Sequence, residues 1–236
     1  MAKPFETWTV CPHSPIEKVA ENLWRVAAPF PGAPFPRTMV VVRLADGRLV
    51  IHNAIALDDG EMKEIESWGT PSFLVVPSGA HRMDAKIFKQ RYPGMRVVGP
   101  PGAKEKIEEV VKVDATEVDF GDASVRYEIV AGTAEREGLL VVHSKAGAAL
   151  VVNDVLMNMQ KLPGFSGFMM GLIGFTGPRP KVSGPARLAV VKDKKALRAE
   201  LEKRATIADL VRIEVGHGNA ITSQPAVALR EAAASL

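Results

Sequence analysis

The stretch Val211-Arg-Ile-Glu-Val-Gly-His-Gly-Asn-Ala-Ile221 decides how this chain is read. An apolar strand runs out into His217, which is held between Gly216 and Gly218. Two stretches upstream end in the same way. Ala149-Leu-Val-Val-Asn-Asp154 delivers Asp154, and Phe73-Leu-Val-Val-Pro-Ser-Gly-Ala-His81 delivers His81. Residues just past the C-terminal ends of strands are where layered α/β proteins gather their chemistry. Two imidazoles and a carboxylate can hold one metal ion, so His81, Asp154 and His217 are the candidate ligands. Asp154 and His217 are also the candidate catalytic pair, as an imidazole base and the carboxylate that orients it. Each has an ordinary structural role as the alternative. His217 can end a strand in a tight turn, Asp154 can cap a helix or turn, and His81 can open a helix at the surface.

Composition bounds the rest. The chain has 236 residues, 47% of them hydrophobic, enough for a substantial core in one layered domain. The net charge is +3, from 30 Lys and Arg against 27 Asp and Glu. The basic residues are scattered rather than gathered into a stripe, so nucleic acid is not an expected partner. Cys11 is the only cysteine, which rules out an intrachain disulfide and suits a reducing compartment. The first residues carry Glu6 and no apolar run, so no signal peptide is expected and the cytoplasm is the expected location.

Residues 1–22 are interrupted by proline and read as a surface arm ahead of a single domain, 23–236. Strands are expected at Leu23–Ala28, Thr38–Leu44 and Arg48–Asn53, with Ala45-Asp-Gly47 as a tight turn. Between the first two, four prolines in Pro29–Pro36 stiffen an aromatic loop that can stand as a flap. Helices Asp58–Ser67, Asp84–Arg91 and Gly102–Val111 then alternate with strands Phe73–Pro77 and Arg96–Gly99. Gly99-Pro-Pro-Gly-Ala-Lys104 lacks the ending of a phosphate loop and reads as a turn. Strands follow at Glu117–Phe120, Ser124–Ala131, Leu139–His143 and Ala149–Asn153. The chain closes with helix Lys194–Arg204, strand Val211–Val215 and helix Pro225–Ala234. Residues 116–153 leave no room for crossover helices, which disfavours a doubly wound sheet. Two β-rich halves, each followed by helices, fit an α/β (α+β) fold: a four-layer αββα sandwich of two mixed sheets.

This order of elements, with ligands at three strand ends, resembles the metallo-β-lactamase fold over roughly residues 23–222. Val50-Ile-His-Asn-Ala-Ile55, Arg91-Tyr-Pro93, Val152-Asn-Asp154 and the apolar segment before Pro178 are similar to a divergent metallo-β-lactamase-like family of unknown function. The parent family's His-x-His-x-Asp-His motif aligns with its last histidine on His81, twelve residues before Pro93. Val76, Ser78 and Ala80 then stand where the motif has two histidines and an aspartate, and Thr133 where it has the next histidine. The resemblance keeps His81, Asp154 and His217 and loses the triple-histidine half-site. It therefore implies a mononuclear site (Zn, Fe or Mn) or an empty one, never a dinuclear zinc centre. His52, at the end of another strand, is a further candidate as ligand or as hydrogen-bond partner of one.

Leu162–Pro178 carries no charge over seventeen residues, with Gly164, Gly167, Gly171 and Gly174 spaced three, four and three apart. That spacing predicts a glycine stripe on a helix packed closely against apolar surface. Seventeen residues with five glycines do not suit a transmembrane helix. A buried crossover helix, a lid over an apolar pocket, a homodimer contact through 162–177 and a shallow membrane association remain alternatives, and the segment's methionines favour the lid or the dimer contact. The functional expectation is a metal-dependent hydrolase acting on a small, apolar molecule. The alternative is a non-catalytic ligand-binding or interaction module that keeps the hydrolase fold.

Overall fold

The apolar runs of the first half pair into one sheet and those of the second half into another. A computed structural model describes residues 3–33 and 35–236. Met1, Ala2 and Pro34, the last within the proline loop 29–36, lie outside the described residues. The first sheet has six strands in sequence order: β1 (Glu17–Ala20), β2 (Leu23–Pro29), β3 (Pro36–Arg43), β4 (Arg48–His52), β5 (Thr70–Val75) and β6 (Arg96–Val98). Strands β1 to β4 run antiparallel, and β4, β5 and β6 parallel. The second sheet has four strands, β7 (Val125–Ile129), β8 (Gly138–Ser144), β9 (Gly147–Val152) and β10 (Leu210–Val215), in the order β10-β9-β8-β7. Only β9 and β10 are parallel in it.

Alternation along these strands builds three apolar layers. Leu49 and Ile51 of β4 face outward against Met62 and Ile65 of α1 (Asp59–Trp68), Phe88 of α2 (Ala85–Arg91) and Ile107 of α3 (Lys104–Glu108). Val50, on the opposite face, meets Val142 and Val151 of the second sheet. Leu150 and Val152 of β9 pack under Ala186 of α5 (Gly184–Ala189), Leu197 of α6 (Lys194–Arg204) and Leu229 of α7 (Pro225–Ala234). Strands covered on both faces need apolar residues at every position, which is why they read as continuous runs. The αββα order follows.

Local chemistry sets the boundaries. Asp58 accepts a bond from the Glu61 N–H (3.0 Å) and starts α1. Ser183 and Asp193 cap α5 and α6 in the same way. Asp84 precedes α2 but makes no cap bond. Its buried carboxylate pairs with Arg37 of β3 and accepts from the Ala56 N–H (3.0 Å). That ion pair ties the first sheet to the start of α2.

Two expectations are corrected. Glu117–Phe120 forms no strand: Phe120 is buried edge-on against Phe73, 5.0 Å between rings, and serves as an anchor for a loop. Its alternating Val118 and Phe120 reflect that anchoring rather than pairing. The arm 1–22 is not only a surface wrap, since β1 extends the sheet and Phe5, Trp8 and Ile16 pack on the outer core.

Candidate metal centre

The C-terminal ends of the parallel strands of both sheets open at the same end of the sandwich. Past β5 the chain turns through Ser78 and Gly79 to His81. Past β9 it reaches Asp154, and past β10, His217. Glycine is required around His217. A Cβ on Gly216 would lie 2.5 Å from Asn153 Oδ1, and one on Gly218 (φ +102°) would lie 2.1 Å from the Asn158 carbonyl. Only glycine lets the imidazole approach so closely packed a strand end.

The three side chains meet. His81 Nε2 and His217 Nε2 each lie 3.3 Å from the same oxygen of Asp154, and the two rings are 5.0 Å apart. One potential ligand atom from each of the three falls within 4.8 Å of the others. The far side of each ring is held. His217 Nδ1 donates to the Pro36 carbonyl at 2.7 Å, and His81 Nδ1 to Asn53 Oδ1 at 3.2 Å. Asn53 gives its own amide N–H to the Thr38 carbonyl (2.8 Å), which fixes its oxygen as the acceptor facing His81. With both Nδ1 atoms used as donors, both neutral rings turn an Nε2 lone pair toward a carboxylate oxygen. Three electron-rich atoms so placed call for a cation between them, a proton or a metal ion. The donor set therefore fits one divalent ion.

The electrostatics agree. Burial alone would raise the Asp154 carboxyl, but His81 and His217 beside it hold it well below the carboxylate range. Burial opposes charge on His217, yet the bond to Asp154 outweighs it and moves the imidazole upward. Behind Asp154 lies Glu137, which is fully buried. Its carboxylate accepts the N–H of Asp154 (3.0 Å) and of Val155 (3.1 Å). Burial, and then the charge of Asp154, push the Glu137 carboxyl well up.

His52, the other candidate ligand, and the residues at the family's lost positions add no ligand atom to the cluster. His52 is buried outside the three-residue cluster, and neither of its ring nitrogens has a hydrogen-bond partner among the described residues. Burial, and then the nearby His81, push its pKa down to about 3. Val76 is buried in the core, and the Ser78 hydroxyl accepts from the Ala80 N–H (3.3 Å). Ala80 has no side-chain ligand atom, and Thr133 is buried with its hydroxyl bonded to the Val130 carbonyl (2.8 Å). His143 stands at the opposite end of the second sheet, paired with Ala148 at the start of β9. A second acidic group, His13, Asp58 and Glu61, lies on the outer face, but Asp58 is committed to capping α1. Sequence reading missed Glu137 and the role of Asn53. An asparagine just past a strand end signals the left-handed conformation Asn53 adopts (φ 54°), whereas nothing near Glu137 marks it.

Two cavities meet over Asp154. One, of about 200 Å³, is apolar and lined by Phe30, Phe35, Met157, Phe175 and Pro185, with His81, Asp154 and His217 among its walls. The rings of Phe35 and His217 meet edge-on at 5.1 Å. The other, of about 570 Å³, is lined by Lys106, Glu109, Arg136 and Glu137 and shares Ala80, Asp154, Ala189 and Val190 with the first.

No protein-family profile and no curated protein matches the sequence. Solved structures do. A metallo-β-lactamase from Erythrobacter litoralis, crystallised with β-mercaptoethanol in its active site, superimposes with a TM-score of 0.61 at 14% identity. The match covers 94% of this chain and 96% of that one. VMB-1, crystallised at pH 5.5, gives a TM-score of 0.64 at 12% identity over 93% and 96% of the two chains. At such identities the likeness speaks for architecture, in agreement with the two mixed sheets and their flanking helices: this chain has the metallo-β-lactamase fold.

Proposed function

We propose that the chain is a metal-dependent hydrolase with a mononuclear centre at His81, Asp154 and His217, acting on a small molecule with an apolar part. One observation carries the reading: two Nε2 lone pairs and one carboxylate oxygen converge, with each ring's other nitrogen held by Asn53 or Pro36. That is the arrangement in which imidazoles are oriented as ligands by hydrogen bonds behind them. When bound, a divalent cation there supplies Lewis-acid activation of water and of a substrate carbonyl. The chain's own residues do the rest. Asn53 and Pro36 fix the tautomers, Glu137 fixes the backbone that aims Asp154, and Phe30, Phe35 and Phe175 give one side of the centre an apolar wall. The apolar cavity suits a small hydrophobic group. The polar one beyond Asp154 suits the other half of the same molecule.

The second reading, a binding module without catalysis, is favoured by Val76, Ser78, Ala80 and Thr133, which offer no second set of ligands. The divergent family of unknown function remains the proposed affiliation. The test is elemental analysis of the untagged full chain, followed by titration with Zn²⁺, Mn²⁺ and Fe²⁺ and assay of each form against aryl esters. One equivalent of ion, lost in His217→Ala and accompanied by ester hydrolysis, supports the hydrolase. One equivalent without turnover favours the binding module. A folded protein that takes up no ion sinks both the centre and the hydrolase.

A further inference from the structure

Helix α4 (Gly164–Leu172) is built inside out. Phe165, Phe168, Met169, Leu172 and Ile173 follow the i, i+3, i+4, i+7, i+8 spacing of one helical face. Such a face normally seeks the core. Here all five are exposed, Phe165 by 80% and Leu172 by 65%, while Gly167 and Met170 are buried. Leu188 of α5 adds another exposed side chain, at 84%. Single exposed leucines are common, but a contiguous apolar helix face marks an interaction surface.

Charge says what covers it. From Val155 to Lys192 there is no Asp or Glu, whereas Lys161, Arg179, Lys181, Arg187 and Lys192 are all cationic. The acid that reaches Arg179, Glu231 at 3.2 Å, comes from α7. A second copy docked symmetrically would set this segment against itself, cation facing cation, with no acid of the segment to pair them. An anionic lipid surface supplies what the segment lacks. It offers an apolar boundary for the aromatic face and phosphates for the flanking cations. No helix among the described residues is long and apolar enough to cross a membrane, and α4, at about 13 Å, suits lying in the interface.

We propose that α4 is an interfacial helix that seats the chain on an anionic lipid surface, with Phe165, Phe168 and Leu172 in the headgroup–acyl boundary and Lys161 and Lys192 against lipid phosphates. The same segment continues into Phe175 and Pro185, which wall the apolar cavity, so the seat and the cavity belong to one stretch of chain. The inference stands without the hydrolase reading.

The test is co-sedimentation of the full chain with vesicles of phosphatidylcholine alone and of equal parts phosphatidylcholine and phosphatidylglycerol. The wild type is expected to partition onto the mixed vesicles. Phe165→Ser with Phe168→Ser should lower that partitioning roughly a hundredfold, about tenfold for each ring withdrawn. Lys161→Gln with Lys192→Gln should lower it roughly thirtyfold on anionic vesicles and leave neutral ones unaffected. Both variants change exposed side chains, so their melting curves should match the wild type and exclude misfolding. Wild type that stays in the supernatant with the mixed vesicles overturns the proposal. So does a wild-type dimer that the double serine variant turns into a monomer while neither binds vesicles, which would give the face to a second copy.

Discussion

Replacing Glu137 by alanine removes the acceptor of two backbone donors at once, the half-buried N–H of Asp154 and the buried N–H of Val155. A buried N–H left without a partner costs about 1–3 kcal/mol, so the two together cost about 2–6 kcal/mol. Removing an acid from a fully buried position offsets part of that, because burial already disfavours its charged form. The net loss expected for Glu137→Ala is about 2–4 kcal/mol, and for Glu137→Gln, which keeps one acceptor, about half as much. Urea unfolding in the presence of a chelator measures this free of metal binding. The two bonds also aim the Asp154 carboxylate, so zinc affinity should fall about 10–100-fold in both variants. Acidity adds a signature. The Glu137 carboxyl is raised above its ordinary 4.5 by burial and then by Asp154. Its contribution to stability is therefore complete below that value and fades as pH climbs through the folded-state value. The deficit of Glu137→Gln should narrow with rising pH across that window. Wild-type urea midpoints in both variants would refute the structural argument. Lost stability with unchanged zinc affinity would refute the positioning role.

Asp84→Ala should cost about 3–5 kcal/mol by leaving Arg37 charged and buried. Arg37→Met should cost less, since Asp84, whose carboxyl burial pushes upward, can take a proton; urea unfolding compares the two. Gly167→Ala should destabilise by about 1–3 kcal/mol, because its Cβ would lie 1.9 Å from the Leu162 carbonyl. Gly171→Ala, with nothing closer than Thr176 Oγ1 at 3.8 Å, should be neutral or stabilising by up to about 1 kcal/mol in thermal melts. Gly218→Ala and Gly132→Ala should both lower stability by about 2 kcal/mol or more, each lying at positive φ with backbone in the way. Only Gly218→Ala, beside His217, should also weaken zinc retention, as read by equilibrium dialysis.

The layers were legible because periodicity and burial act locally. Lys194–Arg204 and Pro225–Ala234 form the helices their patterns predict, and strand ends fall within a few residues of expectation. The meeting of His81, Asp154 and His217 was legible too, since strand ends of parallel pairs share one edge. Glu137 was not, because its partners are backbone N–H groups seventeen and eighteen positions away, which no side-chain pattern encodes. The glycine stripe misled in part. Gly167 does allow close approach, but Gly171 meets only Thr176 Oγ1, at 3.8 Å, and the apolar face of α4 is exposed rather than laid on apolar surface of the same chain. Periodicity reveals that a helix has an apolar side; it does not reveal toward which medium that side turns.

His81 belongs to the six-stranded sheet, whereas Asp154 and His217 belong to the four-stranded one. At the same end, the Thr38 N–H bonds the Gly216 carbonyl (3.1 Å) and the Gly138 N–H bonds the Pro77 carbonyl (3.0 Å), each crossing between the halves. An ion shared by the three ligands would thus act as a rivet between two halves of the chain. Bound metal would then oppose local opening of that seam, and amide exchange at Thr38 and Gly138 would slow in step with ion occupancy. The centre would act as a clasp whose state can be read from backbone protons across it.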